Sequence, residues 1–249
     1  MISPIDTKII GKKIIHFESV NSTNLFAKKL IKDGVEEGTI VVADVQSSGR
    51  GRKDRTWSSP KGGLWFSVIL FPKMPPENGM LITMAISISI VEGIKEITNL
   101  DSVIKWPNDV LIDGKKVCGV LTEIQPGKSN VDYAIVGIGI NVNNELEKEL
   151  DDVAISLNQL TGEDIPNTKL LENILKKFDF YYNKLSLSDF NLIKDKWLLY
   201  SNIIDRKVKV KDGDKIATGN VIDIGENGSL ILKTETGKVN IFSGDIEYL

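Results

Sequence analysis

Residues Ser102–Ile124 read SVIKWPNDVLIDGKKVCGVLTEI, and the organisation of the chain turns on them. Three strand-like runs, Ser102–Trp106, Val110–Ile112 and Lys116–Ile124, follow one another closely. The last two are separated by Asp113-Gly114, a pair suited to the positive φ angles of a two-residue hairpin turn. Strands joined by a hairpin are antiparallel, so the strict strand–helix–strand alternation of a parallel sheet is broken here. The stretch predicts an α+β domain with a mixed, largely antiparallel sheet packed with helices.

The flanking sequence agrees. Lys13–Phe17 alternates, Thr39–Val45 is rich in β-branched residues, and Leu64–Phe71 and Val131–Ile140 are further strand candidates. Leu25–Lys32 reads as a helix between cap-like Ser22-Thr23-Asn24 and Gly34. Gly79–Ile97 predicts a buried helix, and Asn167–Lys184 and Leu187–Tyr200 two more. From about Ile204 the texture changes. Short strands at Lys207–Val210, Lys215–Ile224, Ser229–Thr234 and Lys238–Phe242 are spaced by Asp212-Gly213, Asn227-Gly228 and Thr236-Gly237. That pattern predicts a small β-barrel, and so two domains, 1–203 and 204–249.

The composition narrows the chemistry. Among 249 residues there is one cysteine, Cys118, and one histidine, His16. An intramolecular disulfide, a thiolate zinc site and a His-rich metal site are excluded, and a Ser-His-Asp mechanism would have to pass through His16. No run of 18 apolar residues and no signal-peptide h-region is present, which predicts a cytoplasmic protein that does not use a membrane. The formal charge of −3 gives no overall attraction to nucleic acid, so any anion site must be local.

Four local signals each carry a plain and a chemical reading. Gly49–Trp57, GRGRKDRTW, gathers four cations in nine residues. Glycine backbone and guanidinium forks suit phosphate or carboxylate, while a solvated basic turn needs no ligand. Lys105-Trp106-Pro107-Asn108-Asp109 with Lys116 places a lysine at the start of an apolar strand, where it calls for an anionic partner. Its plain reading is a proline-bent corner. Gly137-Ile138-Gly139-Ile140-Asn141 permits close approach of a ring, or simply tight sheet packing. Ser22-Thr23-Asn24 is most simply a helix cap. His16 and Cys118 read as structural, Gly127-Lys128-Ser129 lacks the first glycine of a P-loop, and the acidic run Glu145–Asp152 reads as a solvated face.

The four signals occur together and in this order, and the combination resembles the biotin–protein ligase family: an STN triplet, a Gln-led GRGRxxRxW loop, KWPND followed by KxxG, and GxGxN. The resemblance covers nearly the whole chain. It implies a class II synthetase-like ligase core with a C-terminal SH3-like barrel, and a monofunctional form without the DNA-binding domain of some relatives. It further implies that biotin and ATP, with Mg2+, give biotinyl-5′-AMP and pyrophosphate. Biotin then passes to a lysine of a biotin carboxyl carrier protein or domain.

By residue match, Ser22, Thr23, Asn24 and Gln46 would bind biotin, and Arg50, Gly51 and Arg52 would fold over its carboxylate and the phosphates. Lys116, with Arg50 and Arg52, would carry catalysis. Trp57, Asn108 and Asn141 would frame the adenylate, while Lys105 and Asp109 support phosphate, Asp109 also as a metal ligand. Trp65 either walls the biotin slot or belongs to the core. Asp54 stands where some relatives carry a third loop glycine. A lipoate–protein ligase is the nearest alternative, a nucleic-acid binder a more distant one, and a homodimer is compatible with the sequence.

Overall fold

The computed structural model describes residues 4–187 and 189–249. Its main sheet has seven strands: β1 (Ile14–Val20), β2 (Ile40–Gln46), β3 (Leu64–Leu70), β4 (Val103–Lys105), β5 (Asp109–Ile112), β6 (Lys115–Pro126) and β7 (Val131–Ile140). They lie in the order β1-β2-β3-β7-β6-β5-β4. Only β1 and β2 pair in parallel, and the other neighbours are antiparallel. The parallel pair is joined through α1 (Thr23–Lys32), as a crossover requires.

Alternation along the central strands sorts the two faces. Phe66, Val68, Val136, Ile138, Cys118 and Val120 enter one large core with the helices α2 (Met80–Thr98), α4 (Asn167–Ser186) and α5 (Phe190–Ser201). Trp65, Ser67, Ile69, Gly137, Gly139 and Gly119 point the other way. On that second face α1 covers β2, β3 and part of β7 over a small cluster of Ala27, Val41, Ile69 and Ile135. The part over β6 and β5 is left to the candidate site.

The second sheet is antiparallel, in the order β11-β10-β9-β8-β12: β8 (Lys207–Asp212), β9 (Lys215–Ile224), β10 (Leu230–Thr234), β11 (Gly237–Ile241) and β12 (Asp245–Tyr248). Its inner residues Val208, Val221, Leu230, Leu232 and Ile246 continue the main core. Trp106 reaches into this seam, its Nε1 donating to Gly228 O at 3.4 Å.

Two elements were not foreseen, β12 and the short helix α3 (Leu157–Thr161). The first helix starts at Thr23, two residues before the expected Leu25, and α5 starts at Phe190. Ser188, inside the expected Leu187–Tyr200 helix, lies outside the described residues, as do Met1–Ser3 of the N-terminal segment. Cys118 is fully buried, where burial pushes its thiol pKa up and keeps it uncharged. His16 Nε2, on edge strand β1, lies 2.7 Å from Asp44 Oδ1 on the neighbouring β2, a surface pair.

Candidate active site

A cavity of about 400 Å³ opens on the second face, within the size range of small-ligand sites. Every residue assigned above to biotin, adenylate or catalysis lines it. Trp65 does not: it is fully buried and donates from Nε1 to Pro60 O at 2.9 Å.

The floor is made by missing side chains. Gly119 and Gly139 face each other across β6 and β7, and the ring of Trp57 lies on them. A Cβ on Gly139 would come within 2.3 Å of Trp57 Nε1, and one on Gly119 within 2.8 Å of the ring. A Cβ on Gly137 would meet Asn24 Oδ1 at 2.2 Å. The alternating glycines therefore serve close approach by a ring and an amide, beyond sheet packing.

At one end the polar groups are neutral, buried and mutually satisfied. Ser22 occupies the cap position of α1 but makes no side-chain capping bond. Thr23 and Asn24 lie inside the helix and turn toward the cavity. Gln46 Oε1 accepts from Thr23 N at 2.9 Å and Thr23 Oγ1 at 3.1 Å, and Gln46 Nε2 donates to Ser59 Oγ at 2.8 Å. Ser67 Oγ lies 2.7 Å from Thr23 Oγ1 and 2.6 Å from Asn24 Oδ1, so its single proton is shared between them. Ser22 keeps the cap position, while Thr23 and Asn24 add a hydrogen-bonded network that lines the cavity.

The other end is charged. Lys116 Nζ lies 2.6 Å from Asp109 Oδ1, which has no aligned hydrogen bond, and 5.1 Å from the centre of the Trp57 ring. Asp109 is the anionic partner that a lysine entering an apolar strand demands. The register slips between Val110 and Leu111, so Val117 and Cys118 both enter the core while Lys116 and Gly119 face the cavity. Asn108 Nδ2 donates to Val120 O at 2.7 Å, and its Oδ1 accepts from Arg52 Nη1 at 3.0 Å. Lys105 sits opposite Asp109 across the turn, over the ring of Tyr248. Asn141 is buried, its backbone bonded to Val117 and Leu157.

The basic loop is folded as a narrow excursion, with bridges Gln46–Ser59 and Arg50–Thr56. Gly49 must stay bare, since its Cβ would lie 2.3 Å from Trp57 O. The loop's like charges are met by carboxylates of the second sheet. Arg55 pairs with Asp245, Lys53 lies 3.4 Å from Asp245 and 3.5 Å from Asp212, and Arg52 donates to Gly244 O at 3.1 Å. Burial works against the charge of Asp245, but the Arg55 hydrogen bond and the neighbouring cations hold its pKa below the usual carboxylate range.

Against this latch stands the backbone. Lys53 and Asp54 have φ of 55° and 57°, a left-handed pair that costs about 1–2 kcal/mol per residue. Partly exposed ion pairs return roughly 0.2–1 kcal/mol each. The two are comparable, so the ion pairs do little more than offset the backbone cost.

Sequence reasoning missed the far wall. Leu146 and Leu150 line the cavity from within the acidic run, Val153 and Ala154 from just after it, and Lys116 N donates to Val153 O at 2.8 Å. The acidic side chains are largely solvated as expected, while the i, i+4, i+7 spacing of Leu146, Leu150 and Val153 was the signal for this wall.

Residues 16–141 match the biotin/lipoate A/B protein ligase family, and residues 203–248 match the biotin protein ligase C-terminal domain. The chain belongs to the biotin–protein ligase family, a class of enzymes. It is 38% identical over 247 residues to the bifunctional ligase/repressor BirA of Bacillus subtilis (strain 168), covering 98% of this chain and 76% of that protein. It is 27% identical to the biotin–[acetyl-CoA-carboxylase] ligase of Paracoccus denitrificans, covering 91% of this chain and 96% of that one. The biotin protein ligase of Aquifex aeolicus, solved with biotin and ATP, superposes with a TM-score of 0.82 at 36% identity, covering 96% of this chain and 99% of that one. Among the described residues no helix is long and apolar enough to cross a membrane, and no group of three or more His, Cys, Asp or Glu could hold a metal ion.

Proposed function

We propose that the protein activates biotin with MgATP and transfers it to a lysine of a biotin carboxyl carrier protein or domain. The observation that carries this reading is one cavity that joins a neutral hydrogen-bonding end to a cationic end. In the first step a biotin carboxylate oxygen attacks the α-phosphorus of ATP, the bond to the β-phosphate breaks, and pyrophosphate leaves. In the second the neutral amine of the acceptor lysine attacks the acyl carbon, AMP departs with the bonding electrons, and the amine loses a proton. Neither step needs an enzyme nucleophile, which suits a chain with one histidine and one buried cysteine. The site has to neutralise charge, align the reactants and keep water out.

The roles follow the two ends. Ser22, Thr23, Asn24 and Gln46 bind the ureido end of biotin. Arg50, Gly51 and Arg52 close over carboxylate and phosphates, and Lys116, poised by Asp109, stabilises the charge that grows on the α-phosphate. Trp57, Asn108 and Asn141 frame the adenosine, and Lys105 supports phosphate. Asp109, the lining carboxylate nearest Lys116, would hold Mg2+ brought with the ATP phosphates, a cation that commonly uses one or two carboxylates plus phosphates and would supply charge neutralisation there. In this reading residues 1–203 form the catalytic domain, and the second sheet, 204–249, is the family's SH3-like barrel.

The test is ATP–pyrophosphate exchange with biotin and with lipoate as alternative acids. Exchange with biotin is the expected result; exchange with lipoate alone would place the chain with the lipoate ligases.

A further inference from the structure

Glu123 joins the neutral end of the site to the basic loop. Its Oε2 accepts from Asn24 Nδ2 at 2.8 Å, and its Oε1 accepts from Arg50 Nη1 at 3.2 Å. Asn24 is buried, whereas Arg50 and Glu123 are partly exposed, so the bond to Asn24 is the less screened of the two.

The surroundings fix the orientation of the Asn24 amide. Acceptors lie on its nitrogen side, Glu123 and, at 3.4 Å, Leu121 O; the donor Ser67 lies on its oxygen side at 2.6 Å. Leu121 is paired with Gly137, whose missing Cβ leaves the space that the amide oxygen fills. A carboxylate that accepts from an amide N–H draws electron density toward the amide oxygen and makes it a better acceptor. That oxygen has a second lone pair, and Asn24 lines the cavity.

We propose that Glu123 is a positioning residue that acts through Asn24. It holds the amide as a strengthened acceptor for an N–H donor of the ligand, and offers the same carboxylate to Arg50. Seating of the basic loop and recognition at the neutral end then reinforce one another. The idea rests on the biotin reading above, which supplies a ureido N–H as the donor.

The experiment uses the full chain in biotin-dependent pyrophosphate exchange, with wild type, Glu123→Gln, Asn24→Ala and the double variant. Glu123→Gln keeps the shape and an acceptor but loses the charge. The KM for biotin should rise about 10-fold or more, with kcat and the KM for ATP within about twofold, as expected for loss of a charge-assisted bond that serves substrate binding. In the Asn24→Ala background the same substitution should add less than about twofold. Equal changes in kcat and both KM values, or full additivity, would overturn the role.

Should Glu123→Gln lose thermal stability, Glu123→Asp gives a second route that keeps the charge and shortens its reach toward Asn24. Its rise in the biotin KM should shrink in the presence of Asn24→Ala, and full additivity would again overturn the coupling. Wild-type protein inert toward biotin would bring down the functional reading itself. An active wild type with an unchanged Glu123→Gln variant would remove only the role of Glu123.

Discussion

The two ends of the cavity are built on opposite plans. At the end formed by Thr23, Asn24, Gln46 and Ser67, neutral groups, all but Gln46 buried, are bonded to one another. At the other, Lys116, Asp109 and Arg52 carry charge and remain partly exposed. A neutral network is rigid and recognises shape and hydrogen-bond pattern already present in the substrate. A cluster of charges does little for a neutral ring, but it stabilises negative charge that develops during reaction. The difference predicts a division of labour, with the neutral end setting the KM for biotin and the charged end setting the rate of adenylate formation.

That division can be broken most severely at Lys116. Lys116→Ala should lower pyrophosphate exchange by about 100- to 1000-fold while thermal unfolding stays near wild type, because a transition-state charge is lost from a partly exposed side chain. Exchange at close to the wild-type rate would remove Lys116 from the chemistry. The next largest effect is expected at the floor. Gly137→Ala drives a methyl group against the Asn24 amide and should raise the KM for biotin about 10-fold with little change in kcat. Gly139→Ala meets Trp57 instead, and should act on the KM for ATP. If both glycines affected the two substrates alike, the two ends would not be separate.

The smallest effect concerns the latch between the loop and the second sheet. Asp245→Asn should speed proteolytic cutting within residues 49–57 a few-fold without ligand, since it removes the main counter-charge of Arg55 and Lys53. The pH dependence has the same sign. Because the folded-state pKa of Asp245 is depressed, the latch is fully present above about pH 3.9, the unperturbed Asp value, and is lost as pH falls below it through the folded value. Loop cutting no faster in Asp245→Asn than in wild type would contradict the latch.

Much of this was legible in the sequence because the relevant signals are local. The hairpin at Asp113-Gly114 decided the antiparallel sheet, and the glycine spacing at Gly137 and Gly139 marked a floor. The side chains that the sequence hid are those whose partners lie far away in the chain. Glu123 reads as one more polar residue at the end of a strand until Asn24, 99 residues away, is seen to donate to it. Asp245 lies 190 residues from Arg55, and no spacing rule connects them. Leu146, Leu150 and Val153 were masked by the acidic residues between them, whose charge outweighs the apolar periodicity in any average over the segment.

The most direct measurement is transfer itself. Wild-type protein is incubated with labelled biotin, MgATP and a biotin carboxyl carrier domain, and the products are separated. The account predicts label on one lysine of the carrier with release of AMP, and labelled biotinyl-5′-AMP when the carrier is withheld. Absence of both products from folded protein, or transfer of lipoate in place of biotin, would contradict it.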